Sequence, residues 1–418
     1  MMSSFTNPEV LVNPTPFFNE LRHERPVYFD EALNAYVVAA YKDVHSVLNQ
    51  PNTFSSALAL FHAYNFEETV NEILVEKARG PFAPILPMTD PPEHTRVRSV
   101  LNLAFSKPRM AKFQGYIESV VEELFNGVLD TGHMEVMQEL AVPLPVSIIA
   151  HLLSVPRERH SDIKRWTQAY TACAGNRIRT QEEAVRIGNE LADMQNFIAG
   201  HIESRRQKGK EYDDVLNDLV NGNNGALSDA EILAIAAAFL VAGHETGSLI
   251  IVAIFKTLAE NPALVEYLRN VEGEEKDKAY QTFIEEALRI NAPVRMLPRV
   301  TTADTDVSGV TIPSGSLVFV LLASGNMDES TFGDDSETFV PDRKNASRHL
   351  SFGTGPHICI GNQLARMELK CLLKAAIDKM DNIKLADTPI TLGDYSPVVL
   401  DINLHLNKLN ITFKKATA

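Results

Sequence analysis

The sequence predicts a mainly α fold with a smaller β portion, and three observations support this prediction. Apolar residues recur with helical spacing over most of residues 92–260. Short runs with strand character occur near the N-terminus and again after Pro298. No internal repeat, low-complexity tract or Pro/Gly/Ser-rich linker divides the chain. We therefore expect one domain over residues 1–418. Its β-rich part should lie at roughly 20–60, 298–325 and 390–415, and its helical part at roughly 90–290 and 359–380.

The first hundred residues mix strands and helices. Residues 25–30 and 35–40, joined by a short turn, predict a hairpin, and residues 42–48 predict a short helix. Residues 56–87 are rich in aromatic residues, contain proline and have weak periodicity. We expect this segment to be a long loop with a helical insert, of the kind that covers a pocket.

The helical region has expected breaks at 107–108, 131–132, 155–156 and 221–225. Ser228, with Glu231 three residues later, forms a capping-box pattern that begins a long helix, here called the central helix. Asn261 and Pro262 should end this helix. Further strands are expected at 299–302, 305–307, 310–313, 317–322 and within 398–413.

Composition restricts the class of protein. The 418 residues are 45% apolar, and the net charge of −15 disfavours nucleic acid or an anionic membrane as a partner. No apolar run approaches the ~20 residues of a spanning helix, and the N-terminus lacks a basic region followed by an apolar one. Three cysteines give no even disulfide framework and fit a reducing interior. These features indicate a soluble, cytoplasmic enzyme.

The strongest chemical signal is a glycine-rich segment, residues 352–361, here called the cysteine loop, which precedes a helical pattern. Gly353, Gly355 and Gly361 let the backbone pass where a Cβ would clash, as a loop lying flat against a large planar ligand requires. N–H groups at the helix start stabilise a thiolate at Cys359 over a thiol. Such a thiolate suits an axial ligand of haem iron. The alternative is a buried structural cysteine in a glycine-rich turn.

A second motif, residues 242–246, lies in the middle of the central helix. Glycine and threonine inside a helix weaken the regular hydrogen-bond ladder, so we expect a local groove wide enough for a small ligand or waters. Glu245 beside Thr246 suits proton delivery there, with Gly243 making space. The alternative is a helix kink that carries a surface glutamate.

Together these motifs resemble those of the cytochrome P-450 family of haem-thiolate monooxygenases, of the soluble bacterial type. The resemblance covers nearly the whole chain, from about Pro26 to the final strands, and its motifs occur in the expected order. It implies the cytochrome P-450 fold and haem b with the Cys359 thiolate as the metal ligand. It also implies insertion of one atom of O₂ into a C–H bond of a hydrophobic small molecule.

The resemblance also assigns roles to individual residues. Glu245 and Thr246 would be the proton-relay pair, while Gly247 departs from the second threonine often found there. Glu286 and Arg289 would form a buried pair that bonds to Arg343, ahead of the cysteine loop, as a folding device. The matching positions in the cysteine loop are Phe352, Gly353 and Gly361, and the positions that match propionate-binding residues are His94, Arg98, Arg299 and His357.

The resemblance further implies a substrate pocket above the iron, lined by Ala238, Val241, Ala242, Val294, Met296 and Leu297. Arg295 lies where an apolar substrate contact is common in relatives. It would either anchor a substrate carboxylate or face solvent or a propionate. The expected roof is the segment from Leu58 to Leu86, including Phe61, Tyr64, Phe66, Phe82 and Ile85.

The resemblance implies that electrons come from an iron–sulfur ferredoxin with its NAD(P)H-dependent reductase. The chain has no flavin or nucleotide fingerprint, so this reductase would be a separate protein. A basic patch in an acidic protein suits docking of an acidic ferredoxin. Its candidate residues are Lys107, Arg109, Lys112, Lys344, Arg348, Arg366 and Lys370.

Three alternative functions remain open at this point. A peroxide-driven haem-thiolate peroxygenase would carry Arg-Pro in place of Glu245-Thr246. A haem-binding sensor without turnover would not need the relay pair and would usually add a regulatory domain. A Cys–His hydrolase built on Cys359 and His357 lacks an oxyanion pattern and a third residue.

Overall fold

The computed structural model describes residues 5, 10, 13–61, 66–174, 178–222, 224–387, 391–392 and 406–416. The chain divides into two compact units. The first unit comprises Met1–Phe54, Ala111–Pro145 and Glu245–Ala418, and the second comprises Ser55–Met110 and Val146–His244. The structure is 61% helical with small sheets, which confirms the predicted fold class. The single domain expected over residues 1–418 stays a prediction.

The main sheet of the first unit joins strands from residues 27–55 to strands from residues 296–321. Val27–Asp30 and Ala35–Val38 form the predicted antiparallel hairpin. Ala35–Val38 pairs in parallel with Leu317–Leu321, which pairs antiparallel with Met296–Thr301, and Phe54–Ser55 lies at the edge. Both faces are covered, because Val37 and Val38 point into different apolar clusters.

The other elements of the first unit surround this sheet. Its smaller sheets contain Thr305–Val307 with Val310–Ile312, His133–Glu135 with Met380–Leu385 and Asn410–Lys415, and Thr391–Leu392 with Leu406–Lys408. Its α-helices are Thr15–Glu24, Tyr41–Leu48, Gln114–Val128, Pro262–Asn270, Glu274–Ile290, Leu322–Gly325, Glu329–Phe332 and Asn362–Lys379, here called the C-terminal helix. A π-helix covers Met137–Ala141, and single 3-10 turns cover Ala346–Arg348 and Gly355–His357.

The second unit is helical. Its α-helices are Ser56–Phe61, Glu68–Lys77, Glu93–Ala104, Lys107–Ala111, His160–Ala174, Gln181–Lys208 and Val215–Asn221, and 3-10 turns lie at Leu86–Met88, Arg157–Arg159 and Gly209–Glu211. Two further helices, Pro143–Leu152 and the central helix Asp229–Glu260, contribute residues to both units, and Lys107–Ala111 contributes its last residue to the first unit.

The central helix begins and ends where the sequence predicts. The Ser228 N–H donates to Glu231 Oε2 at 2.8 Å, and the Glu231 N–H donates to Ser228 Oγ at 3.3 Å, which is the reciprocal capping box. The helix ends at Glu260, before Pro262. Among the described residues, it is the one helix that is long and apolar enough, by length and composition alone, to meet the criterion for a membrane-spanning helix. Core helices of soluble proteins pass the same test.

The structure differs from the predicted elements in three places. Lys107-Pro108 begins a helix instead of breaking one, because proline is tolerated in the first helical turn, where its missing N–H has no partner to lose. The strand expected to begin at Arg299 begins at Met296. The strand His133–Glu135 and the π-helix interrupt the helical region. Of the predicted tail strands, residues 398–405 lie outside the described residues.

Candidate functional site

The cysteine loop presents Cys359 just before the C-terminal helix. The Cys359 N–H donates to the Phe352 carbonyl at 2.8 Å and the Ile358 N–H to the Gly355 carbonyl at 3.1 Å, so backbone hydrogen bonds fix the shape of the loop. The Cys359 side chain is exposed, and a Cβ built on Gly361 would lie 4.0 Å from its Sγ atom. The loop therefore offers one thiol at its surface.

Glycine is required at one position of the loop for two reasons. Gly355 has a φ of +70°, and a Cβ there would lie 2.8 Å from both Leu48 O and Asn49 Oδ1, at the end of the helix Tyr41–Leu48. Gly353 has a φ of +68°, but its nearest neighbour would be 3.8 Å away. Gly355 thus lets the loop contact the end of the helix Tyr41–Leu48. Gly353 is favoured only because its φ is positive.

The three residues of the expected folding device are in contact. Glu286 and Arg289 are fully buried, and Arg289 Nε donates to Glu286 Oε2 at 2.7 Å. Glu286 Oε1 accepts from Arg343 Nε at 3.0 Å and from the Val340 N–H at 2.9 Å. Arg289 also donates to the Asn326 carbonyl at 2.7 Å. These bonds tie the helix Glu274–Ile290 to the segment that leads into the cysteine loop.

A neighbouring carboxylate that the sequence analysis did not single out forms a second network. Glu285 accepts two hydrogen bonds from Arg366, at 2.6 and 2.9 Å, and its Oε2 lies 3.1 Å from His349 Nε2. Burial alone raises the pKa of Glu285, but the bonds from His349 and Arg366 lower it to about 2. The only sequence signal was the doubled acid at 285–286.

The relay pair predicted on the central helix lies in an unbroken helix. Glu245 and Thr246 are half-buried, and the helix continues through residues 242–246 without interruption. The groove predicted at residues 242–246 therefore does not come from a break in the helix. A Cβ on Gly243 would lie 2.9 Å from Ile149 Cδ1, so this glycine also lets the helix Pro143–Leu152 approach closely. Its predicted role of making space for a ligand stays a prediction.

A buried carboxyl group faces the residue after the relay pair. Glu368, on the C-terminal helix, is buried, and its Oε1 atom has no hydrogen-bond partner among the described residues. Burial raises the pKa of Glu368 to about 8, so the side chain is mostly a neutral acid at pH 7. A Cβ on Gly247 would lie 3.8 Å from this oxygen. Glu368 could not be singled out from the sequence, because one acid in an amphipathic helix carries no signal.

The four predicted propionate ligands fall into both units. In the first unit, Arg299 is buried with Nη1 donating to the Pro298 carbonyl at 2.7 Å, and His357 is half-buried in the cysteine loop. In the second unit, His94 is buried on the helix Glu93–Ala104, one turn before the half-buried Arg98. Burial, and then Arg98, lower the pKa of His94, which favours a neutral imidazole that can donate one hydrogen bond.

The predicted pocket residues of the first unit differ in their surroundings. Met296 is buried in the apolar cluster that contains Phe319 and Leu321. Leu297 lies on the opposite face of the strand and, like Val294, is half-buried at the edge of another cluster. Val294 and Leu297 thus remain the better pocket candidates. The Arg295 carbonyl accepts the Ala323 N–H at 3.1 Å.

In the second unit, Ala238 and Val241 are half-buried and Ala242 is exposed. Two of the aromatic residues expected to roof the pocket form one aromatic cluster, and their role as a roof stays a prediction. Phe66 and Phe82 make edge-to-face contacts with each other and with Tyr170, at centroid distances of 5.5 to 6.0 Å. Leu58 is exposed. Tyr64 and the side chain of Phe61 lie outside the described residues.

Three of the seven residues of the basic patch expected for a redox partner pair with carboxylates. Arg109 is buried and paired with Asp213 and Asp218, so its place in an exposed patch was wrong. Arg366 and Lys370 line a groove of the first unit and pair with Glu285 and Asp277. The same groove contains both signs of charge, from Glu118, Glu122, Asp277, Glu285, Asp378, Arg366, Lys370, Lys374 and Lys379.

The donor set of the first unit fits a haem group. Cys359 supplies a single surface thiol on a glycine-rich loop, and Arg299 and His357 are donors suited to propionates. Among the described residues, no group of three or more His, Cys, Asp or Glu is arranged to hold a metal ion. A lone thiol together with separate arginine and histidine donors fits a planar dianionic ligand with an axial thiolate.

Comparisons with known proteins agree with this fit. The family model described as Cytochrome P450 matches residues 28–382. The chain is 30% identical over 376 residues to cytochrome P450 119 of Sulfolobus acidocaldarius, covering 89% of this chain and 93% of that protein. It is 28% identical to the beta-dihydromenaquinone-9 omega-hydroxylase of Mycobacterium bovis, covering 92% of this chain and 74% of that protein.

A solved structure gives the same result for the fold. The structure of P450BioI in complex with hexadec-9Z-enoic acid ligated acyl carrier protein superposes with a TM-score of 0.82. Sequence identity is 26%, and the match covers 97% of this chain and all of that one.

Proposed function

Because this chain belongs to the cytochrome P450 family and is thereby a P450 monooxygenase, we propose that it binds haem b through the Cys359 thiolate and hydroxylates an apolar small molecule. The observation that carries the proposal is the exposed Cys359 thiol on a loop whose shape is fixed by backbone hydrogen bonds and by Gly353 and Gly355. The Glu286, Arg289 and Arg343 contacts support it, because they anchor the segment that leads into this loop.

Haem, when bound, supplies the oxygen chemistry, and a thiolate ligand donates electron density that favours O–O cleavage. The residues of the chain provide protons and orientation. Thr246 Oγ1 would hold a hydrogen bond at the reacting centre, and the carboxyl group of Glu245 would pass protons to it. Arg299 and His357 of the first unit would pair with the propionates, and the same role for His94 and Arg98 of the second unit stays a prediction. Val294 and Leu297 would exclude water from the substrate.

We further propose that electrons come from a separate iron–sulfur ferredoxin with its NAD(P)H-dependent reductase, and that the protein is cytoplasmic. The groove lined by Arg366, Lys370 and Lys374 is the candidate docking surface. Its mixed charge predicts that association depends less on salt than docking to a uniformly basic patch would.

From the chain itself, the proposed substrate class rests only on the apolar character of the predicted pocket residues. One relative is named as an omega-hydroxylase of beta-dihydromenaquinone-9, and one similar structure contains hexadecenoic acid on an acyl carrier protein. We therefore propose a long-chain apolar substrate, free or carried by a protein, and expect long-chain fatty acids to change the spin state of the haem iron.

The absorption spectrum of the purified protein, reduced and exposed to CO, tests the ligand. A strongly red-shifted Soret band would support cysteine thiolate ligation. Cys359→Ser should abolish this band. Cys371→Ser should keep it, because Cys371 is half-buried and burial raises its pKa to about 11. Haem binding without the shift would overturn the proposed ligation, and absence of haem would overturn the whole proposal.

A further inference from the structure

Two side chains contact the ring of Phe352, the first residue of the cysteine loop, and a third links those two. The guanidinium carbon of Arg366 lies 4.5 Å from the ring centroid. The imidazole centroid of His349 lies 5.7 Å away, tilted by 47°. Glu285 contacts both of these residues through its carboxylate. We call Glu285, His349 and Arg366 the Phe352 clamp.

The hydrogen bonds define which nitrogen of His349 carries the proton. The Ser351 N–H donates to His349 Nδ1 at 3.1 Å, so Nδ1 must be the unprotonated acceptor. Nε2 then carries the proton and donates to Glu285 Oε2 at 3.1 Å. Ser351 Oγ also donates to the Leu288 carbonyl at 2.7 Å. The residue before Phe352 is therefore held at both its backbone and its side chain.

The clamp reaches Cys359 through one peptide carbonyl. Phe352 O accepts the Cys359 N–H at 2.8 Å. A displacement of the Phe352 ring or of the Ser351 peptide would move this acceptor, and with it the backbone of Cys359. All of these residues lie in the first unit. The neighbouring carboxylate Glu286 instead bonds to Arg289, Val340 and Arg343, and none of these is a clamp residue.

The charges and burial of the clamp make it rigid. Glu285 and His349 are buried, and Arg366 binds both oxygens of Glu285 in the bidentate geometry that gives strong, directional pairing. The same guanidinium lies over the Phe352 ring, where a cation is attracted to the π face. Each clamp residue is thus fixed by a second member of the clamp.

We propose that the Phe352 clamp is a positioning device that sets the orientation of the Cys359 thiolate, and through it the electron donation to haem iron. The inference rests on the proposed ligation of haem by Cys359. Glu285, His349 and Arg366 are positioning residues, because they act through Phe352 and touch no reacting atom.

Variants of the loaded protein test this role. His349→Phe keeps an aromatic ring beside Phe352 but removes both polar contacts, and Arg366→Met removes the cation over the ring. Arg366→Lys keeps the charge without the bidentate bond. Lys370→Met is the matched control, because it removes one charge from the same helix and groove, at a residue paired with Asp277.

The readouts are the haem reduction potential and the ferrous–CO spectrum, normalised to haem content. We expect His349→Phe and Arg366→Met to change the ratio of reduced to oxidised haem at a fixed potential by about tenfold, or about 59 mV. Part of the red-shifted band should be lost. Arg366→Lys should lie between these variants and wild type, and Lys370→Met should match wild type.

Two results would overturn the inference. One is a lowered melting temperature in His349→Phe and Arg366→Met with the potential and band of wild type, because the clamp would then be purely structural. The other is an equal shift in Lys370→Met, which would assign the effect to groove charge. A wild-type protein without the red-shifted band would refute the proposed ligation itself, and the wild-type spectrum alone shows this. If His349→Phe does not fold, the two Arg366 variants carry the test.

Discussion

Gly247 and Glu368 face each other between the central helix and the C-terminal helix. A Cβ on Gly247 would lie 3.8 Å from Glu368 Oε1, and this oxygen has no hydrogen-bond partner among the described residues. A longer or polar side chain at position 247 would meet this carboxyl group. With glycine there, burial alone governs the titration of Glu368.

The first prediction is that Glu368→Gln stabilises the protein increasingly with pH. Burial raises the pKa of Glu368 from 4.5 to about 8. Between these values the folded chain binds a proton that the unfolded chain lacks, so stability falls as pH rises from about 4.5 to about 8. Gln keeps the shape and does not titrate. The gain should reach at most about 3 kcal/mol at pH 7.

Urea unfolding at pH 5 and at pH 8 measures this difference, with Asp378→Asn, an exposed change on the same helix, as the control. Parallel pH profiles for wild type and Glu368→Gln would show that Glu368 is charged or solvated in the folded protein.

The second prediction concerns the contact of the cysteine loop with an early helix. Gly355→Ala places a Cβ 2.8 Å from Leu48 O at a φ of +70°, so we expect reduced haem content and a clear loss of stability. Gly315→Ala has a similar φ of +79° but no neighbour within 4 Å, so it should cost only about 1–2 kcal/mol for the conformation. Haem per protein and thermal unfolding compare the two, and equal effects would assign the whole cost to backbone conformation.

The third prediction concerns the buried ion contacts of Glu286. Glu286→Gln leaves Arg289 and Arg343 buried without their carboxylate and should cost about 3–5 kcal/mol. Glu275→Gln, on the same helix, breaks an exposed pair with Lys278 and should remain close to wild type. Denaturant unfolding of both variants provides the measurement. A small effect of Glu286→Gln would mean that water or carbonyl groups replace the carboxylate.

The fourth prediction separates the relay hydroxyl from a structural one. Thr246→Val keeps the shape but removes Oγ1, and we expect about 100-fold less product per NAD(P)H consumed, at the low end of what a positioned proton donor contributes. Ser248→Ala removes a hydroxyl that donates to the Ala141 carbonyl at 2.7 Å, and it should keep wild-type coupling. A Thr246→Val protein that couples normally would exclude Thr246 from proton delivery.

Local signals predicted the helices and their ends well. Ser228 and Glu231 satisfy each other within one turn, and Pro262 ends the central helix without help from tertiary contacts. The pairing of Ala35–Val38 with Leu317–Leu321 joins segments far apart in the chain, and no local pattern encodes it.

Some residues of the candidate site could also be predicted from the sequence, and others could not. The resemblance predicted the Glu286 contacts, which the structure shows, while the role of Cys359 stays a prediction. Glu285 escaped notice because its partners His349 and Arg366 are far from it in sequence, although it is adjacent to Glu286. Arg109 was placed on the surface because its partners, Asp213 and Asp218, are about a hundred residues away. For both Glu285 and Arg109, contacts between residues distant in sequence determine the burial and the partners of the side chain.

The fit of Gly355 against Leu48 and Asn49 also has a consequence for biosynthesis. A ribosome adding roughly 5–20 residues per second needs about 15 to 60 seconds to go from the helix Tyr41–Leu48 to the cysteine loop. During that interval the cysteine loop, which packs against the end of this helix, has not yet been synthesised. Under the proposed ligation by Cys359, stable haem capture would follow translation of the cysteine loop, and a chain terminated before it would lack the thiolate ligand.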